Sequence, residues 1–299
     1  MRLKMKDSGL KRALKSCRDA VWCYLIPDAL CHRITHRRLF GVKADLRSPR
    51  TFNEKIQWLK LHDRKPLYRH LVDKYEAKGI MAGLIGEEHI IPALGVWDRF
   101  EDIDFDSLPD EFVLKFTHDS GSVTVCTDKS AFDFGAAARK YSASFKNRSF
   151  YHREYKEWAY KGIPRRIIAE PYLKDDVFRD LTTYELHCCN GAVRYITVIT
   201  NKLGADAAAH IYDLSWERYH KDLPKTVARP RGLELMIELA EKTARFIDNP
   251  FVRIDFYEAK GKVYFGEVTF YPNAGIGTFQ YDDDLEFGQM IDLGRGARQ

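Results

Sequence analysis

Apolar residues along this chain recur with two periods, and each change of period marks an element. Between Asn53 and about residue 82 they fall at helical spacing, in "NEKIQWLKLHD" and then in "PLYRHLVDKYEAKGIMAGLIG". That predicts helices and places Lys74 inside a regular one. Short strands are expected at "HIIPAL", "EFVLKFT" and "SVTVCT", followed by a helix-rich stretch from about Ala131 to Lys161. "RRIIAEPYL" reads as a strand stopped by proline, and "YELHCCNGAVRYITVI" as a hairpin with Asn190-Gly191 at its turn. An amphipathic helix, "RGLELMIELAEKTARFI", and a short helix near "DLEFGQMIDL" complete the chain. Strands joined mostly as hairpins, with helices between them, predict an α+β fold.

Residues 252–275, "VRIDFYEAKGKVYFGEVTFYPNAG", alternate like a half-buried strand pair around "AKG". Two loops fit. A two-residue turn at Lys260-Gly261 pairs Asp255 with Gly266 and sends Glu267 to the opposite face. A three-residue loop, Ala259-Lys260-Gly261, pairs Arg253 with Glu267 and gathers Asp255, Glu267 and Thr269 on one face. It leaves Val252, Ile254, Phe256, Tyr264, Val268 and Phe270 as a core surface. A slip of one residue moves every side chain across the sheet, so the apolar pattern favours the longer loop. Two acids and an arginine on one face fit an exposed ion pair, which contributes little to stability. The hairpin alone favours that reading; the sharper one is a hard-cation site, with Asp255 and Glu267 on Mg2+ and Arg253 on a phosphate that the ion bridges.

Composition narrows the class. With 45% hydrophobic and 30% charged residues over 299 positions, the chain reads as soluble and globular, long enough for one large domain or two ordinary ones. No apolar run has the length of a membrane span, and no signal peptide opens the chain, which predicts a cytoplasmic protein. The six cysteines form no framework and are expected as reduced thiols, with Cys31-His32 and His36 structural. Charge is uneven. Residues 1–50 hold 13 Lys and Arg against 4 Asp and Glu, while the whole chain holds 48 against 43. The first 50 residues are therefore a basic arm. Its stretch "GLKRALKSCRDAVWCYLI" reads as a basic amphipathic helix, suited to the inner face of an anionic membrane, to a partner, or to packing on its own body. No aromatic or zinc-finger signature accompanies the charge, so no nucleic acid is expected.

Further candidates lie between the arm and the hairpin. Lys74 stands in "VDKYEAKG", and Lys115 ends an apolar run in "EFVLKFTHDSGSV", before a polar loop whose N–H groups suit phosphate oxygens. "IIAEPYLKDD" ends a strand at Glu170 and leaves a proline-fixed stretch. His187, Arg153, Arg165 and Arg194 read equally as acceptor-site or structural residues.

The order of these motifs resembles the ATP-grasp superfamily. More closely, "PRTFNEKIQWLKLHDR", "VDKYEAKG", "LPDEFVLKFTHDSGS", "PRRIIAEPYL" and the hairpin resemble its subfamily named for teichuronopeptide biosynthesis, the TupA-like proteins, over about residues 49–293. The resemblance implies two small lobes on largely antiparallel sheets that sandwich ATP. The chain then divides into the helical basic arm 1–50, which lies outside the resemblance, a catalytic region 51–293 and a tail 294–299. The catalytic region comprises a lid lobe at about 112–168 and a metal-binding lobe at about 170–293. It further implies phosphate contacts from Lys74 and Lys115, with Lys115 also near the adenine. His118 to Val123, including Ser120, Gly121 and Ser122, match the mobile loop over the phosphates. Glu170, Pro171, Tyr172 and Leu173 match the adenine hinge, Arg253 a phosphate-binding arginine, and Asp255 and Glu267 the magnesium ligands. This chain departs from the pattern in three places. Its loop is poor in glycine, Glu185 stands where relatives carry lysine, and Thr269 replaces a metal-binding asparagine that Asn273 can supply.

The activity implied is an ATP- and Mg2+-dependent carboxylate–amine ligase that forms an amide through an acyl phosphate on a cell-envelope or capsular saccharide or its precursor. Two alternatives accompany it. Asp282 and Asp284 of "YDDDLE" form the acidic pair of a metal-dependent glycosyltransferase, and the weakened loop suits a non-catalytic membrane or partner adaptor.

Overall fold

A computed structural model describes residues 21–22, 24–119, 121–145, 155–174, 181–202, 204, 206–220, 227–279 and 282–294. Most of the helix expected around residues 9–26 lies outside them.

Two antiparallel sheets organise the chain. Helices α1 (Asp28–Phe40), α2 (Phe52–His62), α3 (Leu67–Val72) and α4 (Glu76–Ile85) come first. Strands β1 (Gly95–Trp97), β2 (Phe112–Phe116), β3 (Thr124–Cys126) and β4 (Ile167–Pro171) form a four-stranded sheet in the order β1-β4-β2-β3, with helix α5 (Phe134–Phe145) against it. Strands β5 (Thr183–Cys189), β6 (Ala192–Thr200), β7 (Ala208–Tyr212), β8 (Phe251–Ala259) and β9 (Lys262–Thr269) form a five-stranded sheet in the order β7-β6-β5-β8-β9. Helices α6 (Leu233–Ile247) and α7 (Asp283–Gln289) belong to this second unit.

Each sheet has its own core. The smaller is aromatic: Phe116 meets Tyr141 at 4.8 Å between centroids, and Phe100 stacks on Tyr141 at 5.7 Å. The larger forms where α6 lays its apolar stripe on the second sheet. Leu233, Met236, Ala240, Ala244 and Ile247 recur every three or four residues and are all buried. They cover the face that carries Leu186, Cys188, Val252 and Ile254, and each large side chain so buried contributes roughly 2 kcal/mol. The opposite face of β8 and β5 is thereby left to the charged residues.

The helical region differs from its sequence pattern at Lys74. A break over Asp73–Tyr75 separates α3 from α4, so Lys74 sits in a turn and not inside a helix. The buried Asp73 causes the break. One oxygen accepts from the N–H groups of Tyr75 (2.9 Å) and Glu76 (3.1 Å), starting a new helix. The other accepts from Thr117 (3.0 Å) and Arg166 (3.0 Å), which tethers the turn to the four-stranded sheet. The strand expected at "HIIPAL" also fails to form. Pro92 interrupts it, Ile90 makes one bridge to Phe265, and the strand begins at Gly95. Strand β7 has no counterpart in the sequence reading.

The β8–β9 hairpin corrects the expected loop and keeps its consequence. Ala259 pairs with Lys262 across a two-residue turn, with Lys260 at φ 51° and Gly261 at φ 70°. That is the turn whose twist matches paired strands, and its second position favours glycine. A bulge then shifts the register between Asp255 and Phe256, leaving Gly266 as the extra residue. Beyond it Asp255 faces Glu267, and Arg253 faces Thr269 rather than Glu267. The inward residues of β9 are therefore Val263 and Phe265 before the bulge and Val268 after it, while Tyr264 is only half-buried. Apolar positions at 263, 265, 268 and 270 carry a visible break of phase at Gly266-Glu267, the signal that an unbroken alternation overlooks.

Glycine at 266 answers a close approach. A Cβ there would stand 3.0 Å from the Tyr257 ring and 3.1 Å from the Asp255 carbonyl. Gly266→Ala is expected to cost about 1–2 kcal/mol in urea unfolding, with the midpoint lowered and the slope unchanged. An unchanged midpoint would mean that the bulge tolerates a side chain.

Candidate functional site

Arg253 stands at the centre of the charged face of the five-stranded sheet. Its Nε and Nη2 donate to the two oxygens of Asp255, both at 2.7 Å. Nη2 also donates to Thr269 Oγ1 at 3.2 Å and lies 3.4 Å from Glu267, while Nη1 lies 3.3 Å from Glu185 on β5. Pairing puts Glu185 and Glu267 on either side of Asp255, one on each neighbouring strand. Three carboxylates thus share one guanidinium.

That crowding sets the protonation. Burial and the Glu185 and Glu267 charges push the Asp255 carboxyl up, against the pull of Arg253. Glu267 moves the other way. Burial opposes its charge, but Lys74, Arg253, Lys202 and Lys115 together hold it below the usual range. A cation between Asp255 and Glu267 would relieve the repulsion that lifts Asp255. Two opposed carboxylates are also the hard-oxygen pair that Mg2+ takes, with phosphate and water completing its shell. The donor chemistry fits. Among the described residues no group of three or more His, Cys, Asp or Glu is arranged to hold a metal.

Lysines face this cluster from the other side. Lys74 Nζ lies 3.4 Å from Glu267 and also donates to the Asp119 carbonyl, so the turn made by Asp73 aims it between the acids and the loop after β2. Lys115, on β2, and Lys78, one helical turn beyond Lys74, both reach the buried Glu170 on β4, at 2.5 and 2.7 Å. Burial opposes ionisation of Glu170, yet Lys115 and Lys78 hold its pKa down to about 2. Past Pro171 the chain leaves the ladder, and Tyr172 and Leu173 stay half-buried at the strand end. In the loop after β2, Gly121 has φ 89°, and Ser122 Oγ accepts from the Phe116 N–H and donates to Asp119. Ser120 lies outside the described residues.

The second wall is a loop under strain. Asn273, Ala274 and Gly275 follow one another at φ 48°, 54° and 62°. Non-glycine residues hold that conformation only where the surroundings impose it. Helix α2 imposes it through one face. Asn53 exchanges bonds with the Gly277 backbone (2.9 and 3.0 Å), Gln57 donates to the Ala274 and Gly275 carbonyls, and the buried Lys60 donates to Ala274 and Tyr155. Asn273 is exposed there, and no hydrogen bond joins it to Asp255 or Glu267 among the described residues.

The sequence-derived residues sort accordingly. The structure brings together Lys74, Arg253, Asp255 and Glu267, and sets Lys115 against Glu170 beside them. Missed were Lys78, whose four-residue spacing from Lys74 was its only signal, and Lys202, whose charge acts on Asp255 and Glu267. His187 is buried opposite Arg253 on β5 and bonds Thr197 at 3.0 Å. Burial and Arg253 lower its pKa and keep it neutral. Arg165 is bound to the Phe145 carbonyl, and Arg153 lies outside the described residues. Asp284, half of the alternative acidic pair, accepts from both the backbone and the side chain of Asn53. Cys31, Cys126, Cys188 and Cys189 are buried.

Lys115 from the four-stranded sheet, with Lys74 and Lys78 from the helical turn and helix beside it, faces a carboxylate–guanidinium cluster on the five-stranded sheet. The chain belongs to the TupA-like ATP-grasp family, whose model matches residues 54–292. No curated protein matches it. Solved structures similar to it include the ATP complex of the D-alanine–D-alanine ligase from Bacillus anthracis. That ligase is 16% identical over 67% of this chain and 55% of its own, with a TM-score of 0.41. D-cycloserine synthetase DcsG is 19% identical over 75% and 70%, with a TM-score of 0.42. The ATP-grasp ligase PsnB, with a phosphomimetic variant of its minimal precursor, Mg and ADP, is 10% identical over 81% and 62%, with a TM-score of 0.43. The chain spans just over half the length of the Bacillus ligase.

The Glu170 pairings have a pH signature. A carboxyl held at about 2 when folded, against 4.5 for the ordinary group, adds stability that is complete above pH 4.5 and is lost as pH falls towards 2. Glu170→Gln is expected to lower stability at pH 7 by about 3 kcal/mol, with wild type and variant converging only as pH falls to about 2. Urea unfolding across that range checks it, and parallel curves would show that the two lysines do not set the Glu170 charge.

Proposed function

We propose that this protein is an ATP- and Mg2+-dependent carboxylate–amine ligase. The observation that carries the reading is the convergence of Lys74 from the helical turn with Arg253, Asp255 and Glu267 on the sheet. A substrate carboxylate oxygen attacks the γ-phosphorus of ATP, the bond to the ADP oxygen breaks, and an acyl phosphate forms. An amine then attacks the acyl carbon, phosphate leaves with the C–O bonding pair, and the amine proton passes to solvent or phosphate.

The residues have separate tasks. Lys74 and Lys115 hold the nucleotide phosphates, and the loop with Ser120, Gly121 and Ser122 closes over them with its N–H groups. Glu170 keeps Lys115 in place, while the Pro171 carbonyl and Leu173 N–H, with Tyr172 between them, read the adenine edge. Arg253 turns from Asp255 towards the transferring phosphoryl group, which frees the Asp255 oxygens. Asp255 and Glu267 would hold the metal, with Asn273 as a third ligand. When bound, Mg2+ supplies charge neutralisation for phosphoryl transfer.

The lobes divide as a lid at about 112–168 and a metal-binding lobe at about 170–293, after a basic arm at 1–50 and before a tail at 294–299. The acceptor is a saccharide of the cell envelope or capsule carrying a carboxylate or an amine, a substrate class supported by the family name. The compartment is the cytoplasm.

Purified protein is expected to release ADP only with a carboxylate and an amine both present. Asp255→Asn is expected to lower kcat by roughly two orders of magnitude or more, since it removes a charged oxygen that would hold the ion at the transferring group. Turnover unchanged in that variant would reject the assignment.

A further inference from the structure

Helix α1 is packed inside out. The side chains it buries against the body are Cys31, His32, Thr35 and His36. Those it turns outward include Leu30, Ile34 and Leu39, each at least 42% exposed, interleaved with the exposed Arg33, Arg37 and Arg38. A helix on a soluble body carries the reverse arrangement, with its leucines inward and histidines outward. On the inner face, His32 Nε2 and Thr35 Oγ1 are buried with no hydrogen-bond partner among the described residues. Packing against the body does not explain where α1 keeps its apolar residues.

The pattern extends beyond the helix. Of thirteen large apolar side chains exposed among the described residues, seven lie within residues 21–42: Val21, Tyr24, Leu25, Leu30, Ile34, Leu39 and Val42. Leu30, Ile34 and Ala44 line a shallow groove of about 400 Å³ with Arg33, Arg37 and Lys43. The only acid between residues 21 and 43 is Asp28, which is bound to Arg64 at 2.8 Å. The surface is therefore apolar and cationic together, while residues 51–299 are mildly acidic.

We propose that α1 and its flanks are a docking face for an anionic lipid bilayer. Such a surface offers an apolar layer and a plane of negative phosphates within a few ångströms of each other. An interfacial helix with leucine, isoleucine and arginine side by side meets both at once. Leu30, Ile34 and Leu39 enter the boundary of the acyl chains, and Arg33, Arg37 and Lys43 remain at the headgroups. No helix among the described residues is long and apolar enough to cross a membrane, so the contact is peripheral. The opposite sign of charge on the rest of the chain orients the molecule with this face down. None of this depends on the ligase reading.

The test is co-sedimentation of the full-length protein with phosphatidylcholine vesicles, with and without phosphatidylglycerol. Binding is expected only with phosphatidylglycerol and is expected to weaken as salt rises. Leu30→Ser/Ile34→Ser and Arg33→Gln/Arg37→Gln should each lower partitioning by roughly tenfold or more, with thermal unfolding unchanged because all four side chains are exposed. The proposal is overturned if anionic vesicles do not bind, if neutral vesicles bind as well, or if both double variants bind like wild type. It is equally overturned if the vesicles stay free while Leu30→Ser/Ile34→Ser converts a dimer to a monomer, which would make the face an interface between copies of this chain.

Discussion

A buried guanidinium shared by three carboxylates governs the charged face of this protein. Arg253 satisfies Asp255 through two short bonds and reaches Glu185 and Glu267 at longer range, while Lys74 approaches Glu267 from outside the sheet. Removing these groups from water is costly, and apolar residues of similar volume often stabilise a protein interior as well or better. Stability therefore does not account for the cluster. Its imbalance suits a site that receives a divalent cation together with an anion, one relieving the carboxylates and the other engaging Arg253 and the lysines.

The remaining structure brings these charges into register. Helix α6 covers the opposite face of the sheet, which leaves β5, β8 and β9 one face free for polar groups. The bulge at Gly266 turns Glu267 towards Asp255. Asp73 ends α3, starts α4 and holds Arg166 and Thr117, so that Lys74 emerges from a turn aimed at Glu267. Glu170, gripped by Lys78 from α4 and Lys115 from β2, ties the helical region to the four-stranded sheet. Helix α2 holds the strained loop at 273–275 through Asn53, Gln57 and Lys60. Each of these ties joins residues far apart in the chain.

Several features were legible in the residues themselves. The Asn190-Gly191 hairpin, the amphipathic α6, the α+β class and the gathering of Asp255, Glu267 and Thr269 on one face all follow from local periodicity and turn chemistry. The loop of the β8–β9 hairpin was misread because two different registers place the same acids on the same face. A longer loop does so directly, and a short turn does so with one bulge beyond it. Only the core phase of Val263 and Phe265 distinguishes them. Lys78 and Lys202 left almost no trace, since a lysine on a helix or in a loop looks solvated until its partner is known.

Sequence alone determined which groups are present, the period of each segment and the order of the motifs, because these depend on neighbours within a few residues. Tertiary structure decided which groups meet. The helix broken at Asp73, the bulge at Gly266, the pairing of Glu170 with two lysines and the outward leucines of α1 all arise from contacts with distant segments. Local propensity yields in each case, because a buried carboxylate left without partners costs more than a turn of helix or one ladder bond.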